Sequence, residues 1–357
     1  MASEFGDKIK ISVFGESHGP AIGVYISGLP AGEKIDEEEL LRFMSRRAPG
    51  KNPLSTARKE TDTPVFLSGV KDGVIEGTPI CAVIKNSDQH SSDYSALSDK
   101  PRPGHADLTA LFKWNGNADM RGGGHFSGRL TAPLCIAGGI AKQILARRGI
   151  YTGAHLASVG PVSDESFPLL PTKELFEELA TKDLPVISDK AGEKMKAEIL
   201  SAREDLDSVG GIIECACIGV PQGLGDPMFD GVENRIARAV FGIPGVKGLE
   251  FGSGFAGSHS RGSQNNDSII FGNDSIATET NNAGGILGGI TTGMPIVFRI
   301  AMKPTPSIAK PQKTVSLSSG EAAVLEIKGR HDPCIAHRAV PVAEAVASLV
   351  ILDMIAE

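Results

Sequence analysis

Apolar and polar residues alternate from Ile9 to Phe14 and again from Ile22 to Ser27, around the polar turn Gly15-Glu-Ser-His-Gly19. That period predicts two strands joined by a short connection. The period then becomes helical. Asp36 is a good N-cap, Glu37, Glu38 and Glu39 fill the first turn, and Leu40, Leu41, Phe43 and Met44 supply an apolar stripe before Ala48-Pro-Gly50 stops the helix. Its last turn delivers Arg46 and Arg47 to the loop beyond. Val65 to Leu67 and Pro79 to Lys85 read as strands, and residues 86–107 as polar loop. An amphipathic helix is predicted from about Ala132 to Arg148, closed by Gly149. Residues 165–205 are charged and largely helical, most clearly from Ala191 to Arg203. Gly210 to Val220 reads as a strand and Val232 to Phe241 as a short helix. Ile296 to Met302 and Val324 to Lys328 are further strands, and Pro341 to Ala356 a final apolar helix.

Helices and strands do not alternate regularly, and several strand pairs are joined by short turns. The expected class is therefore α+β with antiparallel sheets, not a doubly wound parallel sheet. No linker of disordered composition divides residues 1–357, so a single domain is expected. Arg121 and Arg129 are eight apart and precede Pro133 and an Ala-rich helix. Arg330 and Arg338 repeat that spacing before Pro341 and another Ala-rich helix, which hints at an internal pseudo-repeat.

Composition narrows the function. A formal net charge of −7 argues against a nucleic-acid binder. The sign reverses locally, where Arg42, Arg46, Arg47, Lys51, Arg58 and Lys59 follow one another with no acid between. Such an island focuses a small anionic ligand into a cleft, although cations at a helix C-terminus read the same way. No apolar run is long enough to span a membrane, and the N-terminus lacks a signal-peptide pattern, so a cytoplasmic protein is expected. The five cysteines, with Cys215-Ala-Cys217 in a strand-like run, are expected to be buried thiols and not metal ligands. The 43 glycines are clustered, which means tight turns and backbone close to a ligand.

Gly252-Ser-Gly-Phe-Ala-Gly257 matches the dinucleotide pattern, but the polar segment after it is poor in helix formers, so no Rossmann site is expected. The loops Gly122-Gly-Gly124 and Gly284-Gly-Ile-Leu-Gly-Gly289 would let a flat ring lie on the backbone. Lys303-Pro-Thr-Pro-Ser307 offers an ammonium and two hydroxyls of the kind a phosphate tail needs. Each loop alone also reads as a plain surface turn. His18 and His105 sit on glycine-flanked turns suited to acid–base work, and Arg330-His-Asp-Pro-Cys334 sets a cation, an imidazole and a carboxylate side by side.

These motifs keep one order along the chain: Gly15-Glu-Ser-His-Gly-Pro20, Arg102-Pro-Gly-His-Ala-Asp107, Arg121-Gly-Gly-Gly124, Arg261-Gly-Ser-Gln-Asn265, Asn282-Ala-Gly-Gly-Ile-Leu-Gly-Gly289, Lys303-Pro-Thr305 and Gly329-Arg-His-Asp-Pro-Cys334. In that order they resemble the chorismate synthase family. The resemblance implies a β-α-β sandwich and a lyase of the shikimate pathway. It implies loss of phosphate and a proton from 5-enolpyruvylshikimate 3-phosphate by 1,4-elimination, with reduced FMN that is not consumed. Carried over by motif, His18 is a general acid near the substrate phosphate, and His105 protonates or holds the reduced flavin. Asp332 helps deprotonate flavin N5, with Arg330 shared between flavin and substrate. Arg47, Arg58 and Arg129 grip the substrate. Flavin contacts fall on His125, Phe126, Ser127, Pro244, Gly245, Gly288, Lys303, Pro304, Thr305, Pro306 and Ser307. The family further implies a homotetramer and an external flavin reductant, although some members reduce their own flavin with NADPH. The chain departs from the family pattern at Pro53, at His125-Phe126 and at Leu130.

Overall fold

The structure is a computed structural model that describes residues 3–50, 54, 62–86, 99–272, 275–327 and 332–356. Glu4–Phe5 (β1), Lys10–Gly15 (β2) and Ala21–Ser27 (β3) pair antiparallel in chain order. Val65–Ser68 (β4) follows, then a small hairpin of Val70–Lys71 (β5) and Val74–Ile75 (β6), and Ile80–Lys85 (β7) inserts between β3 and β4. The register pairs Ile22 with Ile84, Val24 with Ala82 and Ile26 with Ile80, so one face of this sheet is a continuous apolar surface while Tyr25 points outward.

The second sheet is also antiparallel. Tyr151–Val159 (β8), Val162–Ser163 (β9), Gly211–Ile218 (β10) and Val246–Phe251 (β11) belong to it. Two hairpins follow, Ile269–Gly272 (β12) with Ser275–Thr278 (β13) and Ile286–Leu287 (β14) with Ile290–Thr291 (β15). Ile296–Met302 (β16) then completes the order β11-β16-β10-β8-β9. Gln312–Val315 (β17) and Ala322–Leu325 (β18) form a last hairpin, two to three residues ahead of the strand expected at 324–328.

Glu37–Arg47 (α1) begins as the sequence predicts, with the Asp36 carboxylate accepting from the Glu39 amide at 2.9 Å. Asp107–Trp114 (α2) precedes the long Thr131–Arg147 (α3). Lys173–Thr181 (α4) and Asp189–Glu204 (α5) pack on β8 and β9, and Val232–Val240 (α6) on β11. Gly254–Gly257 (α7) and Gly262–Asn265 (α8) are single turns, and Ala336–Ile355 (α9) closes the chain. The single turn α7 after the Gly252-x-Gly254 motif is too short to serve as a dinucleotide helix.

α3 packs on β2, β3 and β7, α9 packs on β8 and β10, and the two helices pack on each other. The fold is thus a helical layer between two antiparallel sheets. Close approach of the helices depends on Gly138, where an added Cβ would stand 2.3 Å from the Cβ of Ala345. One end of α1 is fixed to α3 by Gln143, whose amide exchanges two 2.9 Å hydrogen bonds with the main chain of Asp36. The far end of α9 holds the N-terminal segment: the Asp353 carboxylate accepts the main-chain N–H groups of Asp7, Lys8 and Ile9 at 2.7–3.2 Å.

α9 starts at Ala336, five residues before the Pro341 that the sequence suggests as its first turn. Proline removes one backbone donor, which leaves the His337 carbonyl without its intrahelical partner, but burial on both sheet and α3 sides carries the helix through.

Candidate active site

A cavity of about 960 Å³ opens where the N-terminal ends of α3 and α9 meet the C-terminal ends of α1 and α6. Two helix N-termini give it a positive rim. Side chains strengthen that sign: Arg47, Arg102, Arg129, Arg238 and Arg338 line it together with Lys247 and Lys303, against the carboxylates of Glu4 and Asp332 among the described residues. Its remaining wall is apolar, built by Leu134, Val342 and Val346 of the central helices and by the tilted pair Trp114 and Phe126, with ring centroids 5.3 Å apart.

The two arginines at the end of α1 divide their work. Arg46 forms a two-bond pair with the buried Glu344 of α9, at 2.9 and 2.6 Å, and Lys142 of α3 joins the same carboxylate. Burial would raise the Glu344 carboxyl, but Arg46 and Lys142 prevail and hold it down at about 2. Arg47 turns instead toward the cavity. Its Nη1 lies 3.3 Å from Asp62, whose other oxygen pairs with Arg129, and donates to the Arg129 carbonyl at 3.4 Å. The Nε of Arg47 is buried with no hydrogen-bond partner among the described residues. One carboxylate between two guanidinium groups leaves an excess positive charge facing the cavity.

His105 lines the cavity and donates from Nδ1 to Asp107 at 2.6 Å. Asp107 also accepts two 2.7 Å bonds from the Arg102 guanidinium. Burial works to raise that carboxyl, but the bonds from Arg102 and His105 hold it far below the ordinary carboxylate range. The carboxylate fixes a hydrogen on Nδ1, so Nε2 faces Gly123, 3.2 Å from where a Cβ would stand. His18 is buried one layer behind the wall, 3.1 Å from the Ser17 hydroxyl, with its ring against Gly122. Gly122, Gly123 and Gly124 have φ of 61°, 108° and 54°, a left-handed run that side-chain-bearing residues do not adopt in sequence.

His125 is tied on both ring nitrogens: Nδ1 donates to the Gly15 carbonyl at 2.9 Å, and Nε2 accepts from the Ser3 hydroxyl at 2.7 Å. It thereby fastens the N-terminal segment, whose residues Ser3, Glu4 and Phe5 line the cavity. Across the cavity, Lys303 donates from its main chain to Gly245 at 2.9 Å and from its ammonium to the Gly104 carbonyl. Burial, and then the neighbouring Lys247, pull the Lys303 ammonium below its usual value. Ser307 accepts from Arg102 at 3.2 Å, while the buried Thr305 hydroxyl has no partner among the described residues.

Of the residues singled out in the sequence, Arg47, His105, His125, Phe126, Ser127, Arg129, Pro244, Gly245, Lys303, Thr305, Pro306, Ser307 and Asp332 share this one cavity. His18 stands behind it, and Pro304 is not among its lining residues. Gly288 sits at the tip of the β14–β15 hairpin and is not brought to the cavity. Arg58 and Arg330, like Pro53, lie outside the described residues. Sequence reasoning missed Asp62 and Trp114, and reached Arg338 only through the pseudo-repeat, without assigning it a contact. It had quoted Arg102 and Asp107 without giving them work. Asp62 carries a faint signal, as it is an acid shortly after the basic island ends.

A cavity with so many cations and so few acids is made for small, multiply anionic molecules, and the protein class defined here is an α+β enzyme that acts on them. Residues 9–356 match the family model described as chorismate synthase. The chain is 46% identical over 365 residues to the chorismate synthase of Lancefieldella parvula, covering 99% of this chain and 96% of that relative. It is 48% identical to that of Thermococcus kodakarensis, covering 98% and 96%. A crystal structure of a chorismate synthase matches with a TM-score of 0.77 at 29% identity, covering 98% of this chain and 92% of the other. The chain belongs to the chorismate synthase family: it is a carbon–oxygen lyase of the shikimate pathway that forms chorismate.

Proposed function

We propose that the chain converts 5-enolpyruvylshikimate 3-phosphate to chorismate and phosphate by 1,4-elimination, with reduced FMN held in the same cavity. The observation that supports this most is the division of one cavity of about 960 Å³ into a cationic and an apolar part. Its volume is at the upper end of small-molecule sites, room for two ligands side by side. The residues fit a flavin phosphate. Thr305 offers a buried hydroxyl, Lys303 an ammonium and Ser307 a second hydroxyl, while Trp114 and Phe126 give a flat ring an apolar face.

When bound, the reduced flavin supplies electron density to the substrate. The chain does the rest. Arg47 and Arg129, with Arg58, take the substrate's carboxylates and phosphate as paired acceptors. His18 acts as general acid toward the leaving phosphate, and His105, oriented by Asp107, holds the reduced cofactor through Nε2. Asp332 is the carboxylate on the cavity wall that finally receives the proton removed from the substrate ring, and Arg330 is shared between flavin and substrate. Both central helix N-termini favour the released anion.

The same reading extends to the surroundings. Residues 1–357 act as one cytoplasmic catalytic domain, supplied by an external flavin reductant. Ile269, Phe271 and Ile276 of the β12–β13 hairpin are exposed, as is Phe255, and this apolar surface supports a homotetramer. The deciding experiment is anaerobic chorismate formation from the phosphate ester with dithionite-reduced FMN. No product from the native protein overturns the proposal. Replacing dithionite with NADPH separates a self-reducing enzyme from a dependent one.

A further inference from the structure

Arg338 stands in the first turn of α9 with its side chain 17% exposed, on the wall of the cavity. Three things make that an expensive place for a guanidinium. The positive end of the helix dipole disfavours a cation there by roughly 0.3–1 kcal/mol. Burial removes its water, and Arg47 adds like charge close by. A fold seeking only stability would not put it there.

Its bonds go to two parts of the site. Nη1 pairs with the Asp332 carboxylate, and Nε donates to the Arg47 carbonyl at 3.0 Å. Arg47 is the last residue of α1, so that carbonyl is one of the acceptors a helix end leaves unsatisfied. One rigid fork thus sets the position of Asp332 and the main chain that carries Arg47. A plain clamp between α1 and α9 is already present, because Arg46 and Lys142 fasten on Glu344 one turn and a half further along α9. The bond from Arg338 is redundant as a clamp and specific as an aiming device.

We propose that Arg338 is a positioning residue for the elimination: it directs the Asp332 carboxylate into the cavity, and it couples that carboxylate to the substrate-gripping Arg47. The role rests on the function proposed above, with Asp332 as proton acceptor. Lysine at this position keeps the charge but loses the fork. Glutamine loses the charge.

The test uses the full chain with reduced FMN under anaerobic conditions, comparing R338K, R338Q and D332N with the native protein. R338Q is expected to lose roughly 10²-fold in kcat, the scale of a displaced catalytic group. Its acid limb in the pH profile of kcat should move to higher pH, because a carboxylate that loses one paired cation protonates more readily. R338K should keep the native acid limb while kcat falls by less. D332N should remove the limb altogether. Thermal melting should change little in either Arg338 variant. An R338Q limb at the native pH overturns the role, as does a rate loss that merely follows the folded fraction. If R338Q does not fold, R338K decides: a native kcat there overturns the need for the fork. Failure of D332N to alter the profile overturns it too. A native protein that forms no chorismate overturns the function itself, and this role with it.

Discussion

Two ion networks that start from neighbouring arginines of α1 behave in opposite ways. Midway along α3 and α9, Glu344 is enclosed by Arg46 and Lys142, and Lys142 gives a further 2.7 Å bond to the Thr152 carbonyl. One acid meets two bases, and Lys142 has a further acceptor. At the cavity end, Asp62 faces Arg47 and Arg129, yet Arg47 keeps a buried donor without a partner among the described residues, and further cations line the same wall. The first network is closed and holds elements together. The second is left open toward a space that an anion can fill. Buried charge alone therefore does not mark a site; a cationic donor left unpartnered beside a cavity does.

The largest effect should come from breaking the closed network. Glu344→Gln leaves two cations without their carboxylate and is expected to cost about 3–5 kcal/mol of stability near neutral pH, read by denaturant unfolding. Because the folded carboxyl is held at about 2 and its ordinary value is 4.5, the native advantage is complete above pH 4.5 and disappears as pH falls toward 2. An equal cost at every pH would break the contrast drawn between the networks. Next, His105→Ala should lower turnover by about 10²-fold or more with little change in melting temperature, as for a general acid–base group. Unchanged turnover would remove His105 from the open site.

Gly138→Ala tests the packing beneath both networks. An added Cβ would meet the Cβ and Cα of Ala345 at 2.3 and 2.4 Å, so a loss of about 1–3 kcal/mol is expected, with both networks disturbed together. The smallest effect concerns the apolar wall. Trp114 is the chain's single tryptophan, so FMN binding should quench its fluorescence, and Phe126→Ala should weaken FMN binding by about 0.5–1.5 kcal/mol. Undiminished fluorescence at saturating FMN would place the ring elsewhere.

Local signals made much of this legible in advance. The β2–β3 pair followed from alternation, and α1 from its cap and acidic first turn, because both signals lie within a few residues. α2 stayed hidden: eight residues shortly after a Pro-Gly turn give a weak helical period, and no side chain caps it. β8 was also unread, since Tyr151-Thr-Gly-Ala-His-Leu-Ala-Ser-Val159 is buried almost throughout and shows no alternation. In the site, histidines on glycine turns could be picked out singly. The pairing of Asp62 with Arg129, 67 positions away, or of Arg338 with the Arg47 carbonyl, exists only once α1, α3 and α9 have packed. The pseudo-repeat was legible in part. Arg129 and Arg338 do reach one cavity, but Pro133 sits in the first turn of α3 and Pro341 deeper in α9.

The hold of His125 on Ser3 has a practical side. Ser3, Glu4 and Phe5 form wall, and the neighbouring residues are bolted to Asp353 at the opposite end of α9. A purification handle fused ahead of Ser3 would therefore begin at the rim of the binding site. An extension carried by the end of α9 that holds Asp353 would leave Ser3 and its bond to His125 untouched, which makes it the sounder choice for any assay of ligand affinity.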